Sequence, residues 1–335
     1  MRDLVEEILR RSDLGEAVMV CVIVDTQGST PQKAGATMLV MSNGQILGTL
    51  GGGCVEAEVR TTALRMLVER MQVAESVVEP IAVPVDEPIA ERGLLLRFKL
   101  DNDYGWDDGL VCGGSMRIAM VMIDSANSAR PWREALKKLE EREIATVNLN
   151  VADKDGEAYT FSHKMLPRAA LVIAGAGHVA AALARVAAML EFEITVIDDR
   201  ADFSNTDRFP SAACIVGEID VELRRINIDA QTFVVIVTRG HRHDTDALGA
   251  VIESKARYVG LIGSRRKILT ILRELRTRGV SNEQLVRVHA PIGLAINAVT
   301  PGEIAVSIAA ELVAVRRNCD MPEGVMMKID TRLLG

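Results

Sequence analysis

Apolar residues fall along this chain in short runs divided by polar turns. The run at 17–24 is apolar almost throughout and predicts a strand. Runs at 36–41 and 45–49 flank Ser42-Asn43-Gly44, and Asn-Gly between two such runs predicts a hairpin. Residues 55–72 have helical periodicity and begin directly after a glycine run. Further strands are predicted at 94–100 and 116–123, and 1–12 mixes acids, arginines and apolar residues as an amphipathic helix does. Segment 78–93 holds prolines and acids and reads as loop. This half is mixed α+β, and a joint near 162–168 sets a domain at 1–165 apart from one at 166–335.

The second half has a different rhythm. Apolar runs at 169–174, 193–197, 213–216, 233–237 and 258–262 look like parallel strands buried on both faces. Helical patterns follow at 178–191, 243–254 and 264–278. Alternation of this kind predicts a Rossmann-like, doubly wound parallel sheet, so the chain as a whole is α/β. A last helix starts at Thr300, with Pro301 at its first position and Glu303 completing a capping box, and runs to about 317.

Composition narrows the function. The 335 residues suffice for two domains, and 48% hydrophobic with 25% charged residues describes a globular protein. Aromatic content of 3% and a net charge of −7 argue against a nucleic-acid binder. No apolar stretch reaches the ~18 residues that a membrane span needs, and the first residues lack a signal-peptide core. Five scattered cysteines without a C-x-x-C pair fit a cytoplasmic setting and give no structural zinc signature.

Candidate chemistry sits on glycines. Gly51-Gly52-Gly53-Cys54-Val55-Glu56 ends three conformationally costly residues in a thiol and an acid, and Cys112-Gly113-Gly114 sets a second thiol against glycines. Cys54 and Cys112 read as soft ligands, for sulfur exchange or a molybdenum or copper centre, or as small buried hydrophobes. Cys21, Cys214 and Cys319 read as structural. The run 28–35 after the first strand reads as an anion-binding nest or a plain loop.

Gly175-x-Gly177-x-x-Ala180 joins a predicted strand to a helix, and Asp198 ends the next strand about 20 residues on, where a ribose-binding acid is expected. The same turn would serve a Rossmann shell without a dinucleotide. His178 is either a ligand contact or merely a helix N-terminal residue. Arg239, His241, Arg242, His243 and Asp244 follow the fourth strand of this half and could take an anion, or a metal through His241, His243 and Asp244. Ser264 caps a helix whose first turn, Arg265-Arg266-Lys267, opposes the helix dipole, which points to an anionic partner.

These motifs, with Pro291-Ile292-Gly293-Leu294 and the run from Thr300 to Glu311, stand in an order that resembles the XdhC/CoxI family of xanthine dehydrogenase accessory proteins. The resemblance covers nearly the whole chain. It departs at Gln32, Thr37, Arg117, Val121 and Ala295-Ile296-Asn297, where the family commonly carries other residues. It implies an XdhC/CoxI domain followed by a Rossmann domain. It also implies a chaperone rather than a turnover enzyme, one that binds molybdenum cofactor (molybdopterin) transiently, supports its sulfuration and delivers it to a xanthine dehydrogenase-like molybdenum hydroxylase. On that reading the cofactor lies in a cleft between the domains. Cys54, with Cys112 as a second candidate, faces the metal beside Gly52, Gly53 and Glu56. Gly175, Gly177 and His178, with Arg265 and Arg266, hold phosphate. A cysteine desulfurase is the implied second partner, and the apolar helix 302–315 could pair two copies into a homo-oligomer. The rivals are an NAD(P)-dependent oxidoreductase using Gly175, Gly177 and Asp198, and a scaffold that holds no cofactor.

Overall fold

The computed structural model describes residues 1–76, 93–100, 113–319 and 325. Of the loop expected at 78–93, residues 78–92 lie outside the described residues, as does the candidate Cys112, while Gly93 opens a strand. The chain divides into two compact units, Met1–Pro167 and Arg168–Gly335.

The first unit contains α1 (Arg2–Asp13), β1 (Val18–Gln27), β2 (Thr37–Met41), β3 (Ile46–Gly48), α2 (Gly53–Ser76), β4 (Gly93–Lys99), β5 (Ser115–Ile123), α3 (Ala126–Glu140), β6 (Ala145–Ala152) and β7 (Ala158–Met165). Its strands form one sheet in the order β3-β2-β1-β5-β4-β6-β7. The β4–β6 pairing is parallel and the others are antiparallel. Successive residues of a strand face opposite sides. Accordingly Val18, Val20 and Val22 pack with α1 and α3, while Met19, Cys21 and Ile23 pack under α2. Burial on both faces explains why β1 is continuously apolar instead of alternating. It also settles Cys21 as core, with burial pushing its thiol far up. The expected hairpin forms, with Gly44 at φ 81° between β2 and β3. The sequence reading assigns nothing to 126–165, where the structure adds α3, β6 and β7.

The second unit contains β8 (Ala170–Ala174), α4 (His178–Met189), β9 (Glu193–Asp198), β10 (Ala212–Val216), α5 (Ile219–Arg225), β11 (Thr232–Ile236), α6 (His241–Val251), β12 (Tyr258–Leu261), α7 (Arg265–Thr277), α8 (Asn282–Val286), β13 (Val288–His289) and α9 (Pro301–Arg316). The sheet is parallel throughout, in the order β10-β9-β8-β11-β12-β13. Helices α5, α6 and α7 cover one face, where Val172, Val234 and Ile236 are buried; α4 and α9 cover the other, over Leu171, Phe233 and Val235. This is the doubly wound architecture read from the alternating pattern.

Helix α9 starts as its sequence predicts. The Thr300 side chain accepts from Glu303 N, and the Glu303 carboxylate returns to Thr300 N at 2.9 Å. Part of the apolar surface expected to pair two copies faces inward, while Val306 stays exposed. Ala305, Ile308 and Leu312 are spent in the unit's own core.

Candidate functional site

In the first unit, glycine motifs far apart in sequence meet at one place. Strand β1 runs into Gly28-Ser29, and Ser29 forms an isolated parallel bridge with Gly113. The approach is close enough that a Cβ on Gly114 would lie 2.2 Å from the Ser29 carbonyl oxygen. One residue type fits there. On the other side, a Cβ on Gly51 would lie 2.6 Å from Pro31 Cβ and 3.2 Å from Gln32 Cγ. The runs 28–32, 51–53 and 113–114 are therefore one structural cluster.

Two kinds of glycine make up this cluster. Gly51 and Gly114 are demanded by neighbouring atoms. Gly52, Gly53 and Gly113 have φ of 74°, 66° and 63°, with no atom of the described residues within 4 Å of where a Cβ would stand. Their backbone is bare toward open space, so a bound group can approach it. Helix α2 begins inside the glycine run, at Gly53, two residues earlier than the periodicity predicts. That places half-buried Cys54 in its first turn.

Glu56 has a local task. Its Oε2 accepts from Thr49 Oγ1 at 2.7 Å, Leu50 N at 2.9 Å and Gly52 N at 3.1 Å. Partial burial works to raise its carboxyl, and these donors outweigh it and hold the group below the usual carboxylate range. Glu56 thus folds back on the entry to α2 and shapes the glycine loop.

In the second unit, the candidate residues gather at the carboxyl edge of the sheet. Strands β9 and β10 extend from β8 in one direction, and β11, β12 and β13 in the other. The end of β8 beside β11 is therefore the topological switch point, where doubly wound sheets bind ligands. Gly175 and Gly177 flank it in different roles. Gly175 has φ 105°, and a Cβ there would lie 2.7 Å from the Val237 carbonyl oxygen, so packing requires it. Gly177, which precedes α4, has no atom of the described residues within 4 Å of where a Cβ would stand, which leaves the helix start open among them. His178 is exposed at that helix start.

Asp198 is turned inward instead of toward a ribose. It is 2% exposed and accepts from Ala176 N at 2.8 Å and from Arg200 Nε and Nη2 at 2.8 and 3.0 Å. Burial works to raise its carboxyl, and the Arg200 guanidinium and two backbone N–H groups outweigh it, holding the group at about 2. Asp198 therefore braces the glycine turn. The Arg200 guanidinium lies 3.7 Å from the centre of the Phe203 ring. Arg239 follows β11 and pairs at 2.5 Å with Asp199, which follows β9, so the pair reaches across the end of β8.

The metal alternative for His241, His243 and Asp244 is corrected. Among the described residues no group of three His, Cys, Asp or Glu side chains is placed to hold a metal ion. Asp244 is fully buried, accepts from Thr238 Oγ1 at 2.6 Å and pairs with Lys267. The histidines precede it in the first turn of α6, His241 exposed and His243 half-buried. Ser264 caps α7 through Lys267 N, and Arg265 and Arg266 are exposed beside it. Neither arginine makes an ion pair among the described residues, so two cations at a helix start stay available to an anion.

Sequence reasoning missed a buried polar hub. Glu311 is fully buried and accepts from Tyr258 OH at 2.6 Å and Gly293 N at 2.7 Å, while its other oxygen meets His289 Nδ1 at 2.9 Å. Burial, followed by the neighbouring carboxylate, pushes the Tyr258 hydroxyl well up. One turn earlier, Ser307 donates to Leu294 O at 2.8 Å and Ser307 O accepts from Leu294 N at 3.2 Å. The runs 291–294 and 300–311 are thus clamped together. The signal was available in the sequence: Ser307 and Glu311 lie four apart on the face that also carries Ile304 and Ile308.

A doubly wound sheet with an open glycine turn at its switch point, preceded in the chain by a sheet unit with a thiol in a glycine cradle, defines a two-unit α/β protein with a Rossmann-like second unit. The chain belongs to the XdhC/CoxI family. A model described as the XdhC and CoxI family matches residues 12–76, and one described as the XdhC Rossmann domain matches 171–312. The uncharacterized protein YqeB of Escherichia coli K12 is 33% identical over 308 residues, 91% of this chain but 44% of YqeB. The chain therefore spans less than half of that relative's length. A probable xanthine dehydrogenase subunit of Bacillus subtilis 168 is 23% identical, with 90% of this chain and 94% of that protein covered. The molybdenum cofactor insertion chaperone PaoD of E. coli K12 is 25% identical, with coverage of 90% and 84%. The crystal structure of a Bacillus halodurans protein described as a xanthine dehydrogenase superposes with a TM-score of 0.76 at 21% identity, covering 100% of this chain and 99% of that one. That likeness establishes the shared fold. Among the described residues no helix is long and apolar enough to cross a membrane.

Proposed function

We propose that this protein is a maturation factor that binds molybdenum cofactor as cargo, supports its sulfuration and passes it to a xanthine dehydrogenase-type molybdenum hydroxylase. The observation that carries the reading is the glycine cradle of the first unit. Bare backbone at Gly52, Gly53 and Gly113 lies around a loop that leads into Cys54, a thiol partly open to its surroundings. The cargo is a phosphorylated pterin with a sulfur-bound metal. A soft thiol suits such a metal, and backbone N–H groups suit its anionic oxygens. Gly177 and the exposed Arg265 and Arg266 of the second unit supply further anion-binding groups. The names of two relatives, one an insertion chaperone and the other part of a xanthine dehydrogenase, point the same way. A molybdenum hydroxylase is then the receiving partner, a cysteine desulfurase the sulfur donor, and self-association a further property to measure. Free cysteines among the described residues suit a reducing cytoplasm.

The second reading, an NAD(P)-dependent oxidoreductase, rests on the same Rossmann turn. The Asp198 carboxylate, already engaged by Ala176 and Arg200, speaks against it. Separate titrations of the purified chain with molybdenum cofactor and with NAD decide between them. The proposed function expects cofactor binding that Cys54→Ala weakens, together with loss of transfer to an apo-hydroxylase. Tight NAD binding without cofactor binding would overturn it.

A further inference from the structure

The 291–298 loop and α9 line an open-mouthed cavity of about 340 Å³ at the carboxyl end of β12. Nothing in the proposed function uses it. Among the described residues its lining is mostly apolar, with Ile262, Pro291, Leu294, Ile296 and Ile304 beside the polar Asn297 and Ser307, and none of these side chains carries a charge. The volume sits at the lower end of the ~300–1,000 Å³ typical of small-molecule sites. One wall is fixed in place, because Glu311 holds Gly293 N and Ser307 holds Leu294 at both its N–H and its carbonyl. A buried carboxylate placed so as to tie down one loop is a costly arrangement for a surface dimple.

Charge lies just outside the slot. Gly263 lines it, and Arg265 and Arg266 follow two and three residues later as exposed cations without an ion pair among the described residues. A bare anion would leave the apolar walls wet, and a hydrocarbon would leave the cations unused. A flat, uncharged heteroaromatic ring bearing an anionic group satisfies both. Strand order adds a length. Gly263 lies two residues past the end of β12 and Gly175 directly follows β8, with β11 between the two strands, so two strand spacings, about 10 Å, separate the strand ends that lead into the two turns. A ring in the slot therefore lies within one small ligand's length of the open Gly177 turn.

We propose that this cavity is the ring subsite of the second unit, taking a fused heteroaromatic ring of the pterin or purine class with its phosphate directed toward the first turn of α7. The proposal rests on the cofactor-binding reading only in making a pterin one of the two ring sources. Two probes test it on the full chain: neopterin, followed by its own fluorescence, and guanosine monophosphate as its competitor. Neopterin is expected to bind, and Ala298→Trp, which fills the slot from the loop, is expected to weaken it by about tenfold or more. Displacement by guanosine monophosphate assigns the slot to both ring types, and absence of displacement assigns it to pterins. Arg265→Ala with Arg266→Ala is expected to weaken guanosine monophosphate but not guanosine. If Ala298→Trp fails to fold, Ile304→Phe fills the slot from α9 and carries the same test. The proposal falls if neither probe binds below about 1 mM, or if a folded slot-filling variant binds both unchanged. Molybdenum cofactor capture is measured alongside. Capture with slot-independent probe binding sinks the subsite and leaves the proposed function standing, whereas slot-dependent probe binding without capture does the reverse.

Discussion

His163 makes the first unit sensitive to acid. It lies on β7, opposite Val147 of β6, is 4% exposed and packs its ring 6.3 Å from that of Trp132. Its Nε2 is buried without a hydrogen-bond partner among the described residues. Burial lowers its pKa from 6.5 to about 4, because an imidazolium there would lose its hydration. The folded state thus binds this proton more weakly than the unfolded state does. Stability from this group is fully present above pH 6.5 and is lost as pH falls toward 4, where the loss levels off. At 1.36 kcal/mol per unit, the full interval is worth about 3 kcal/mol, and about 2.5 kcal/mol of it falls between pH 7.5 and 4.5. His163→Leu removes the proton and keeps an apolar side chain of similar bulk. Both tryptophans of the chain, Trp106 and Trp132, belong to the first unit, so urea unfolding followed by tryptophan fluorescence reports that unit. Wild type is expected to lose about 2.5 kcal/mol more than His163→Leu between the two pH values. Equal losses in the two proteins would refute the reasoning.

Three further outcomes follow from the geometry. Gly175→Ala drives a Cβ into the end of β11 and is expected to destabilise the second unit by ~1–3 kcal/mol, whereas Gly177→Ala meets open space and should change stability by less than ~0.5 kcal/mol while weakening anion binding; circular dichroism melts and a phosphate titration check the pair. Glu311→Ala strands the Tyr258 hydroxyl, Gly293 N and His289 together and is expected to cost ~3–5 kcal/mol, with Glu311→Gln costing less, both read from denaturant midpoints. Glu56→Ala removes the acceptor shared by Leu50 N and Gly52 N and is expected to cost ~1–2 kcal/mol and to raise amide exchange at the start of α2, by hydrogen-exchange mass spectrometry.

The strands and helices of the second unit were legible because a parallel sheet covered on both faces writes each strand as an unbroken apolar run, as at β8 and β11. Capping chemistry at Thr300 and Glu303, and the Asn43-Gly44 hairpin turn, were legible because these signals act within four residues. α3, β6 and β7 carry the weaker signals of half-buried elements, an amphipathic helical period at 126–140 and alternation at 145–152, and the unbroken apolar runs elsewhere overshadow them.

The roles of the site residues divide along the same line. Sequence alone marked the glycine turns, the two-unit plan and the family resemblance, since conformational demand and strand period are local properties. It could not tell Gly175, fixed by the Val237 carbonyl, from Gly177, open to a ligand, because the difference lies in what β11 brings alongside. Nor could it show that Asp198 faces Arg200 and Ala176, that Asp244 is neutralised by Lys267, or that Glu311 reaches Gly293 from another element. Each of these charges is assigned by a partner that packing supplies. In a low-dielectric interior, whether a carboxylate binds a ligand or braces a turn is decided by which donor reaches it first.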